Sequence, residues 1–292
     1  MSFSGLPAAL QAALTSRGYA APTPVQTAVL APEAAGQDLL VSAQTGSGKT
    51  VAFGLAVAPE LLGDADRLPQ AGAPLALVVA PTRELALQVK AELTWLYGPA
   101  GGRIASCVGG MDPLAERRML TAGVHIVVGT PGRLCDHLER GNLRPEALRA
   151  VILDEADEML DLGFREELEA ILDRLPPERR TLMFSATVPK AIEKLAAGQL
   201  RPGFERVSVA GGEEQHADIT YDVAGVPHDD AERALVNILR FHESERAIIF
   251  ANTRAAVARI AARLGNSSLS ASCSAAAASG RPVRRAWLCI CP

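Results

Sequence analysis

Six short apolar runs recur along the chain, each followed by a small or polar loop and, in most cases, a helical pattern. They are "DLLVSA", "LALVVAP", "VHIVVGTP", "AVILDEA", "TLMFSAT" and "RAIIFANT". Because their apolar residues are continuous rather than alternating, each predicted strand is expected to be covered on both faces. The pattern therefore predicts an α/β fold, with a parallel sheet, helices on both faces and right-handed crossovers. Sites in such sheets lie beyond the carboxyl ends of the strands, so the loops after these runs are the candidate site.

The segment "AQTGSGKT" stands between the strand "DLLVS" and the helical pattern "VAFGLAVAPELL", which is the context of a phosphate-binding loop. Gly46 and Gly48 let successive backbone N–H groups turn toward phosphates, and the helix N-terminus adds partial positive charge. Lys49 is expected to reach the β- and γ-phosphates, and the Thr50 hydroxyl to bind Mg²⁺. An ordinary glycine-rich turn is the alternative. The candidate nucleotide-binding residues of this loop are Ala43, Gln44, Thr45, Gly46, Ser47, Gly48, Lys49 and Thr50.

Another apolar strand pattern, in "VILDEAD", ends at Asp154 and Glu155. Acidic residues after a strand often only cap the next helix, and this alternative stays open for the motif taken alone. Beside a phosphate-binding loop, however, they match the needs of phosphoryl transfer: a carboxylate that holds hydrated Mg²⁺ and a group that orients the attacking water. We assign the first role to Asp154 and the second to Glu155, and we count both with Lys49 as candidate catalytic residues.

The formal net charge of −4 argues against a broad basic face that neutralises nucleic-acid phosphates. Any nucleic-acid contact is therefore expected to be local, made by loop amides and a few arginines. Only Cys107 and Cys135 precede residue 265, too few for a disulfide framework, and the sequence shows neither a signal peptide nor an apolar run of spanning length. These features predict a cytoplasmic protein without a membrane partner.

Further segments accompany these two motifs in order along the chain. "GYAAPTPVQ" precedes the phosphate loop; "PTRELALQ", "GG" and "TPGR" lie between it and "DEAD"; "SAT" and "AIIFANTR" follow. With them, residues 3–264 resemble the DEAD-box ATP-dependent RNA helicases of helicase superfamily 2. The resemblance implies a RecA-like P-loop NTPase domain and a second, here incomplete, RecA-like domain. It also implies ATP and Mg²⁺ as cofactors and RNA as a partner bound by its backbone, independently of base sequence.

The same resemblance implies how adenine is recognised. The Gln26 amide, which has both a donor and an acceptor, is expected to pair with the adenine edge and to select ATP over GTP. Phe3 resembles the aromatic residue that stacks on adenine. Tyr19 is a second candidate, because the spacing from Phe3 to Gln26 is short. A frayed terminal aromatic is the alternative for Phe3.

A second set of residues is expected, again by resemblance, to hold the sugar-phosphate backbone of one RNA strand. The plain alternatives are a helix-capping role for Glu84 and a simple turn for the paired glycines. Ser185 and Thr187 resemble residues that couple the γ-phosphate state to strand separation through hydrogen bonds to the DEAD segment. The candidate RNA-binding residues are Thr82, Arg83, Gly109, Gly110, Thr130, Gly132 and Arg133.

Composition and motifs together suggest five regions in the chain. They are a Q-motif region (1–28), a RecA-like ATP-binding domain (29–209), a polar linker (210–217), the start of a second RecA-like domain (218–264) and a low-complexity tail (265–292). The fourth region is expected to contain a strand near 219–226, a helix near 230–241, a strand at 247–251 and a helix that ends near residue 264.

The tail differs from the rest of the chain because it contains no Asp or Glu and shows neither helical nor strand periodicity. A thiol-metal site at Cys273, Cys289 and Cys291 is one interpretation, although no fourth ligand and no histidine accompany them. A frameshift after Leu264, or a natural short variant, would each account for the change in composition.

The second domain of the family would continue through segments like "ATDVAARGID" and "HRIGRTGR", and neither occurs in the 292 residues. The latter supplies an arginine finger, which contributes ~10³ to 10⁵ to the rate of phosphoryl transfer. From the family resemblance, we therefore expect an RNA helicase that couples ATP binding and hydrolysis to local duplex opening. We expect the present chain to bind ATP but to be impaired in hydrolysis and unwinding. A non-catalytic ATP- and RNA-binding fragment is the alternative, and another P-loop NTPase, such as a DNA helicase, is a third.

Overall fold

The computed structural model describes residues 3, 5–44, 46–209, 224–227, 230–242, 247–251, 253–265 and 286–290 of the chain, the last of these by backbone alone. The chain divides into two compact units, Met1–Glu214 and Gln215–Pro292. No helix within the described ranges is both long enough and apolar enough to cross a membrane.

The first unit is built on one seven-stranded sheet in which every neighbouring pair of strands is parallel. Its strands are β1 (Leu39–Ser42), β2 (Ala76–Val79), β3 (Ile104–Cys107), β4 (Ile126–Gly129), β5 (Ala150–Leu153), β6 (Arg180–Ser185) and β7 (Glu205–Ser208). They lie in the order β3-β4-β2-β5-β6-β1-β7. The predicted α/β class with a parallel sheet is confirmed, and the five apolar runs before residue 190 all form strands.

Ten α-helices and one short 3₁₀ helix (Pro32–Ala34) connect the strands. The α-helices are α1 (Ala8–Ser16), α2 (Pro24–Val29), α3 (Lys49–Ala56), α4 (Ala58–Leu62), α5 (Arg83–Tyr97), α6 (Pro113–Thr121), α7 (Pro131–Glu139), α8 (Ala156–Asp161), α9 (Arg165–Leu172) and α10 (Lys190–Gln199).

Alternate residues of each central strand belong to two separate buried clusters on the two faces of the sheet. In β2, Ala76 and Val78 pack with apolar residues of α1 to α5. Leu77 and Val79 pack with apolar residues of α6 to α10. Because both faces are covered in this way, a strand must be apolar at every position, which explains the continuous runs in the sequence.

The second unit contains α11 (Ala231–His242), β8 (Ala247–Ala251), α12 (Arg254–Gly265) and β9 (Ala286–Ile290). The two helices and the strand at 247–251 are present as predicted. The strand predicted near 219–226 is wrong for residues 224–226, which have no regular structure, and residues 219–223 lie outside the described ranges.

Strand β9 corrects the expectation that the tail has no strand character. Its sequence, "AWLCI", pairs antiparallel with β8, and Phe250 is opposite Trp287 in the register. The short run is rich in apolar residues of high strand propensity, and it satisfies backbone groups of β8 that an unpaired edge would leave exposed. Because the preceding stretch of the sequence shows no strand pattern, averaging over a longer window does not detect this five-residue run.

The core of the second unit is small in the part that the structure describes. Val236, Val257 and Leu264 are buried between the two helices and one face of β8. On the other face, Ile248 and Phe250 are 62% and 71% exposed. A sheet covered on one face by two helices buries little apolar surface, so this unit is expected to be much less stable than the first.

Candidate functional site

The candidate site occupies the carboxyl edge of the sheet in the first unit. Six adjacent strands in the order β3-β4-β2-β5-β6-β1 each end at one of the motifs found in the sequence. Taken in that order, the strands are followed by "GG", "TPGR", "PTRE", "DEAD", "SAT" and the phosphate-binding loop. The sheet order therefore places the three motifs with predicted chemical roles side by side, next to the three with predicted RNA contacts.

The phosphate-binding loop leads from β1 into the first turn of α3. Gly46 and Gly48 have φ of +82° and +87°, a region that glycine enters without steric cost. Gly48 occupies the N-cap of α3, and the ammonium group of the buried Lys49 donates to the carbonyl of Ala43 at 3.3 Å. Ser47 donates its hydroxyl to the carbonyl of Gln44. Thr50 is half-buried in the first turn, and Thr45 lies outside the described residues.

Gln26 lies against this loop from the N-terminus of α2, where it is fully buried. Its Oε1 accepts the backbone N–H of Thr23 at 3.0 Å, and its Nε2 donates to the carbonyl of Gly48 at 3.4 Å. Thr23 in turn donates its hydroxyl to the carbonyl of Ser47 at 3.0 Å. A capping box and the phosphate loop thus support each other, a connection that sequence reasoning, which assigned Gln26 to adenine alone, did not find.

The two aromatic candidates for adenine stacking lie in different surroundings. Phe3 lines a cavity with Leu55 and Ala56, at the far end of α3 from Gly48. At 1.5 Å rise per residue, that end of the helix is about 10 Å from the loop. Tyr19 stacks on Trp95 of α5, with ring centroids 5.7 Å apart. The stacking of either ring on adenine stays a prediction.

Asp154 follows β5 and is 2% exposed. Its Oδ1 has no hydrogen-bond partner among the described residues. Burial raises the pKa of this carboxyl to about 6; Lys49 opposes the rise and Glu155 adds to it. A buried carboxylate oxygen without a donor, next to a lysine and a phosphate-binding loop, fits a ligand of hydrated Mg²⁺, which prefers one or two carboxylates and the phosphates of its substrate.

Glu155 is the one non-glycine residue with positive φ in the described part of the chain, at φ 51°. It occupies the N-cap of α8, but its side chain makes no capping hydrogen bond. The helix-capping interpretation of this carboxylate is therefore wrong for Glu155. A left-handed conformation costs a non-glycine residue about 1–2 kcal/mol, and such strain tends to occur where function fixes the backbone.

Asp157 joins the DEAD segment to the SAT segment after β6. Its Oδ2 accepts the backbone N–H and the hydroxyl of Thr187 at 2.9 and 2.8 Å. Burial raises the pKa of Asp157, but hydrogen bonds from Thr187, Ser185 and Ala186 together outweigh it, so the pKa lies below its usual value. Ser185 donates its hydroxyl to the carbonyl of Thr187 at 2.6 Å and so holds the loop that presents Thr187.

On the other half of the edge, Arg83 reaches the glycine pair and donates to the carbonyl of Gly109 at 3.3 Å. Gly110 has φ of +78°, and a Cβ there would come within 2.6 Å of the Arg83 guanidinium. Thr82 caps α5 by accepting the N–H of Leu85. The cap is thus Thr82 and not Glu84. The glycine pair does form a turn, closed by a hydrogen bond from the N–H of Met111 to the carbonyl of Val108, and Arg83 contacts that turn.

The TPGR segment begins α7 next to these residues. Thr130 is the half-buried N-cap of that helix, and Gly132 is exposed. Arg133 donates from Nη2 to the carbonyl of Met111 at 3.1 Å, just beyond the glycine pair. The structure therefore brings Arg83, Arg133 and the glycine pair together at one edge, as predicted for an RNA-contacting surface.

Sequence reasoning missed Glu116 of α6, which is fully buried beneath that surface. Its Oε1 accepts the N–H of Val108 at 2.9 Å, and its Oε2 lies 2.7 Å from Nε2 of His137 and 3.5 Å from Nε of Arg133. Glu116 is followed in the sequence by Arg117 and Arg118, both exposed, so the local pattern is that of a solvated helix face and gives little sign of its burial. Charged residues are rarely buried unless paired, so only the packing of α6 on α7 reveals it.

Comparison with known proteins completes the description of the site. The family model of the DEAD/DEAH box helicases matches residues 23–195, which include the Gln26 segment, the phosphate loop, DEAD and SAT. The chain belongs to the DEAD/DEAH box helicase family. The predicted RecA-like fold is confirmed, because the parallel sheet carries the family's motifs along its carboxyl edge.

Relatives in this family come from plants and bacteria. The chain is 38% identical over 259 residues to "DEAD-box ATP-dependent RNA helicase 9" of Oryza sativa, which aligns 87% of this chain with 40% of the relative. It is 38% identical to "DEAD-box ATP-dependent RNA helicase CshA" of Geobacillus kaustophilus, over 89% of this chain and 54% of the relative. It is 40% identical to "ATP-dependent RNA helicase DeaD" of Escherichia coli, over 89% and 40%. The chain thus spans about half or less of these DEAD-box relatives.

Among solved structures, the fold is similar to that of a DEAD box protein from the hyperthermophile Methanococcus jannaschii. The TM-score is 0.66 at 29% sequence identity, and the match covers 92% of this chain and 71% of the other. Family membership thus rests on sequence and on fold together.

Proposed function

We propose that this chain binds ATP with Mg²⁺ at the carboxyl edge of the sheet. The backbone N–H groups of the loop from Ala43 to Gly48 hold the phosphates, and Lys49 contacts the β- and γ-phosphates. Thr50 and Asp154 hold the metal, which when bound neutralises charge that develops on the phosphates. The observation that carries this proposal is the buried, unpaired Oδ1 of Asp154 next to Lys49.

Hydrolysis is assigned to Glu155, whose carboxylate orients the attacking water and accepts its proton. Neither carboxylate oxygen of Glu155 is needed for capping α8, which leaves the side chain free for this role. Asp157 and Thr187 connect the DEAD and SAT segments through two hydrogen bonds. We assign to Ser185 and Thr187 the coupling of the γ-phosphate state to the RNA-binding half of the edge.

RNA is proposed to bind along the half of the edge formed by the ends of β2, β4 and β3. The candidate contacts there are Thr82, Arg83, Gly109, Gly110, Thr130, Gly132 and Arg133, with two arginines supplying positive charge in a chain of net charge −4. Arginines and exposed loop amides suit phosphate oxygens. Contacts of this kind carry no base information, so binding is expected to be independent of sequence.

Adenine recognition by Gln26 remains part of the proposal in a modified form. One acceptor position and one N–H of its amide are engaged with Thr23 and Gly48, so the second N–H and the second acceptor position are those left for the adenine edge. The role of Gln26 in supporting the phosphate loop does not depend on that pairing. Stacking on adenine is proposed for Phe3, with Tyr19 as the second candidate.

For a polypeptide of these 292 residues, we expect ATP binding with slow hydrolysis and poor unwinding. The reason is the lack of any segment like "HRIGRTGR" in the sequence, because loss of an arginine finger lowers the rate ~10³- to 10⁵-fold. The second candidate function is a non-catalytic fragment that binds ATP and RNA. For a polypeptide of these 292 residues, the same feature favours it.

One set of measurements tests the proposal and separates the two candidates. ATP binding and RNA-stimulated phosphate release are measured for the purified chain and for Glu155→Gln. Failure to bind ATP would contradict the whole proposal. Binding with a low rate that Glu155→Gln abolishes supports an impaired helicase ATPase. Binding with a rate that is indistinguishable from that of Glu155→Gln supports the non-catalytic fragment.

A further inference from the structure

We propose that Glu116 is a positioning residue that sets Arg133 and the glycine pair for contact with the RNA backbone. The inference rests on the proposed function, because Glu116 contacts the candidate RNA-binding residues but is not itself accessible to RNA. Glu116 is fully buried on α6, so it has no direct role in binding RNA.

The carboxylate of Glu116 connects two of the three RNA-binding segments. Oε1 accepts the N–H of Val108, the residue that precedes Gly109, at 2.9 Å. Oε2 lies 3.5 Å from Nε of Arg133 in the TPGR segment. The carbonyl of Gly109 in turn accepts a hydrogen bond from Arg83 of the third segment. One buried group therefore joins the loops after β3 and β4, and Arg83 links the loop after β2 to them through Gly109.

Arg133 is held in an orientation that suits a phosphate. Its Nε side faces Glu116 and its Nη2 donates to the carbonyl of Met111, and neither contact uses Nη1. The side chain keeps 16% of its surface exposed. A planar guanidinium that is anchored by two of its nitrogens loses less rotamer freedom when the third meets an anion, which is the advantage of a preorganised arginine.

His137 completes the cluster and stabilises the negative charge of Glu116. Its Nε2 is 2.7 Å from Oε2, and the amide of Asn142 lies 3.4 Å from Nδ1. This arrangement fits an imidazole that donates from Nε2 to the carboxylate and faces the Asn142 amide with Nδ1. The carboxylate thus has Arg133, His137 and the N–H of Val108 as partners, as a buried charged group requires.

Cys107 lies close enough to Glu116 and His137 for the three to hold a metal ion, but the contacts favour the hydrogen-bonded cluster. A separation of 2.7 Å between the histidine nitrogen and the carboxylate oxygen is that of a hydrogen bond. The Arg133 guanidinium beside the same oxygen also opposes a cation there. Burial, together with Glu116, raises the pKa of the Cys107 thiol to about 12, so the thiolate that a metal would need is disfavoured.

The experiment is a double-mutant cycle between Glu116→Gln and Arg133→Gln, measured as affinity for a single-stranded RNA at several salt concentrations and as affinity for ATP. Glutamine keeps the size of Glu116 and the acceptor for Val108, but it turns a neutral amide toward Arg133. We expect Glu116→Gln to weaken RNA binding about tenfold, as for one charge-assisted contact. The slope of log affinity for RNA against log salt concentration should become smaller in magnitude by about 0.7, which corresponds to one phosphate contact on a single strand. Affinity for ATP should change less than about twofold.

The cycle gives a signature that a merely structural role would not. In the Arg133→Gln background, Glu116→Gln should cause no further loss of RNA affinity, because its effect passes through the arginine. An equal loss in both backgrounds, or a parallel loss of RNA and ATP affinity, would overturn the inference. Glu139→Gln, an exposed glutamate of α7 paired with Arg174, is the matched control and should leave RNA affinity unchanged.

The two levels of the proposal fail in different ways. If Arg133→Gln itself leaves RNA affinity and the salt slope unchanged, the assignment of Arg133 to RNA is wrong, and the inference falls with it. If Arg133→Gln weakens binding and Glu116→Gln does not, only the inference is wrong. Should Glu116→Gln not fold, Glu116→Asp serves in its place: it keeps the charge but is too short to hold Val108 and Arg133 together, so the same loss of RNA affinity is expected.

Discussion

Thr187 donates both its backbone N–H and its hydroxyl to the same oxygen of Asp157, at 2.9 and 2.8 Å. The two residues are thirty positions apart in the chain and follow the adjacent strands β5 and β6. Their contact ties the DEAD segment to the SAT segment within the nucleotide-binding half of the edge, where β5 is the strand that neighbours β2 of the other half. The coupling role that the resemblance to helicases implies for Thr187 stays a prediction, and this contact is the one through which we expect it to act.

Replacement of Thr187 by valine tests this contact, because valine keeps the shape and the backbone N–H but removes the hydroxyl. We expect the free energy of unfolding to fall by about 1 kcal/mol at pH 7, discounted for the partial exposure of the carboxylate. The folded pKa of Asp157 is lowered, so this stability is present above the unfolded pKa and is lost as the pH falls through the folded pKa. Denaturant unfolding at pH 7 and at pH 3 measures it.

The difference between Thr187→Val and the unmodified protein should therefore shrink at pH 3. Thr94→Val, which removes an exposed hydroxyl bonded within α5, controls for the general effect of valine. A difference of the same size at both pH values would show that the carboxylate of Asp157 is not the partner that matters.

Replacement of Asp154 by asparagine should stabilise the protein and damage its site. The pKa of Asp154 is raised to about 6, so the folded state holds a proton that the unfolded chain releases near pH 4, and stability falls as the pH rises between these values. Asparagine removes this loss of stability, which is about 3 kcal/mol because each pKa unit corresponds to about 1.36 kcal/mol. The free energy of unfolding measured from pH 4 to pH 8 should diverge from that of the unmodified protein above pH 4 and level off above pH 6.

The same variant should lose Mg²⁺-dependent ATP binding, since it lacks the carboxylate that holds the metal. Asp161→Asn, an exposed position at the end of α8, is the control for both measurements. If Asp154→Asn is no more stable at pH 8 than the unmodified protein, burial of the Asp154 carboxylate does not lower the stability of the fold, and this prediction is wrong.

Two glycines of the phosphate loop separate backbone strain from contact. A Cβ at Gly48 would meet Nε2 of Gln26 at 2.9 Å, whereas one at Gly46 would meet nothing within 4 Å, and both have positive φ. Gly46→Ala should cost about 1–2 kcal/mol of backbone strain in the unfolding free energy. Gly48→Ala should cost more and weaken ATP binding more strongly. Thermal unfolding and ATP affinity of both variants would show equal effects if Gln26 does not support the loop.

The first unit should bind ATP without the second. All candidate nucleotide-binding and catalytic residues lie before residue 188, and the two large buried clusters lie in the same unit. A shortened chain that ends at Glu214 is expected to unfold cooperatively and to bind ATP within about threefold of the full chain. A loss of more than about tenfold would mean that the second unit contributes to the nucleotide site.

The sequence was sufficient for those parts of the site that follow directly from a strand end. Lys49, Asp154 and Arg83 each stand within a few residues of an apolar run, and parallel strands bring their carboxyl ends to one edge. Their neighbourhood could be predicted without knowing how any helix packs. The continuous apolar runs gave the fold class for the same reason, since burial on both faces leaves a direct mark on composition.

The remaining features depend on packing that no local pattern records. Glu116 meets Arg133 because α6 packs beside α7, and the two residues are seventeen positions apart. The burial of Gln26 against Gly48 follows from the way α2 meets the phosphate loop. The place of Phe3 and the pairing of β9 with β8 are likewise set by neighbours that are distant in sequence.

The central claim is that the phosphate-binding loop of this chain holds ATP. Its most direct test is isothermal titration calorimetry of ATP into the 292-residue protein with Mg²⁺, compared with Lys49→Ala and with Lys194→Ala, an exposed lysine of α10. We predict saturable binding that Lys49→Ala weakens at least about tenfold, equivalent to about 1.4 kcal/mol, and that Lys194→Ala leaves unchanged. Absence of binding, or equal binding by Lys49→Ala, would contradict the claim.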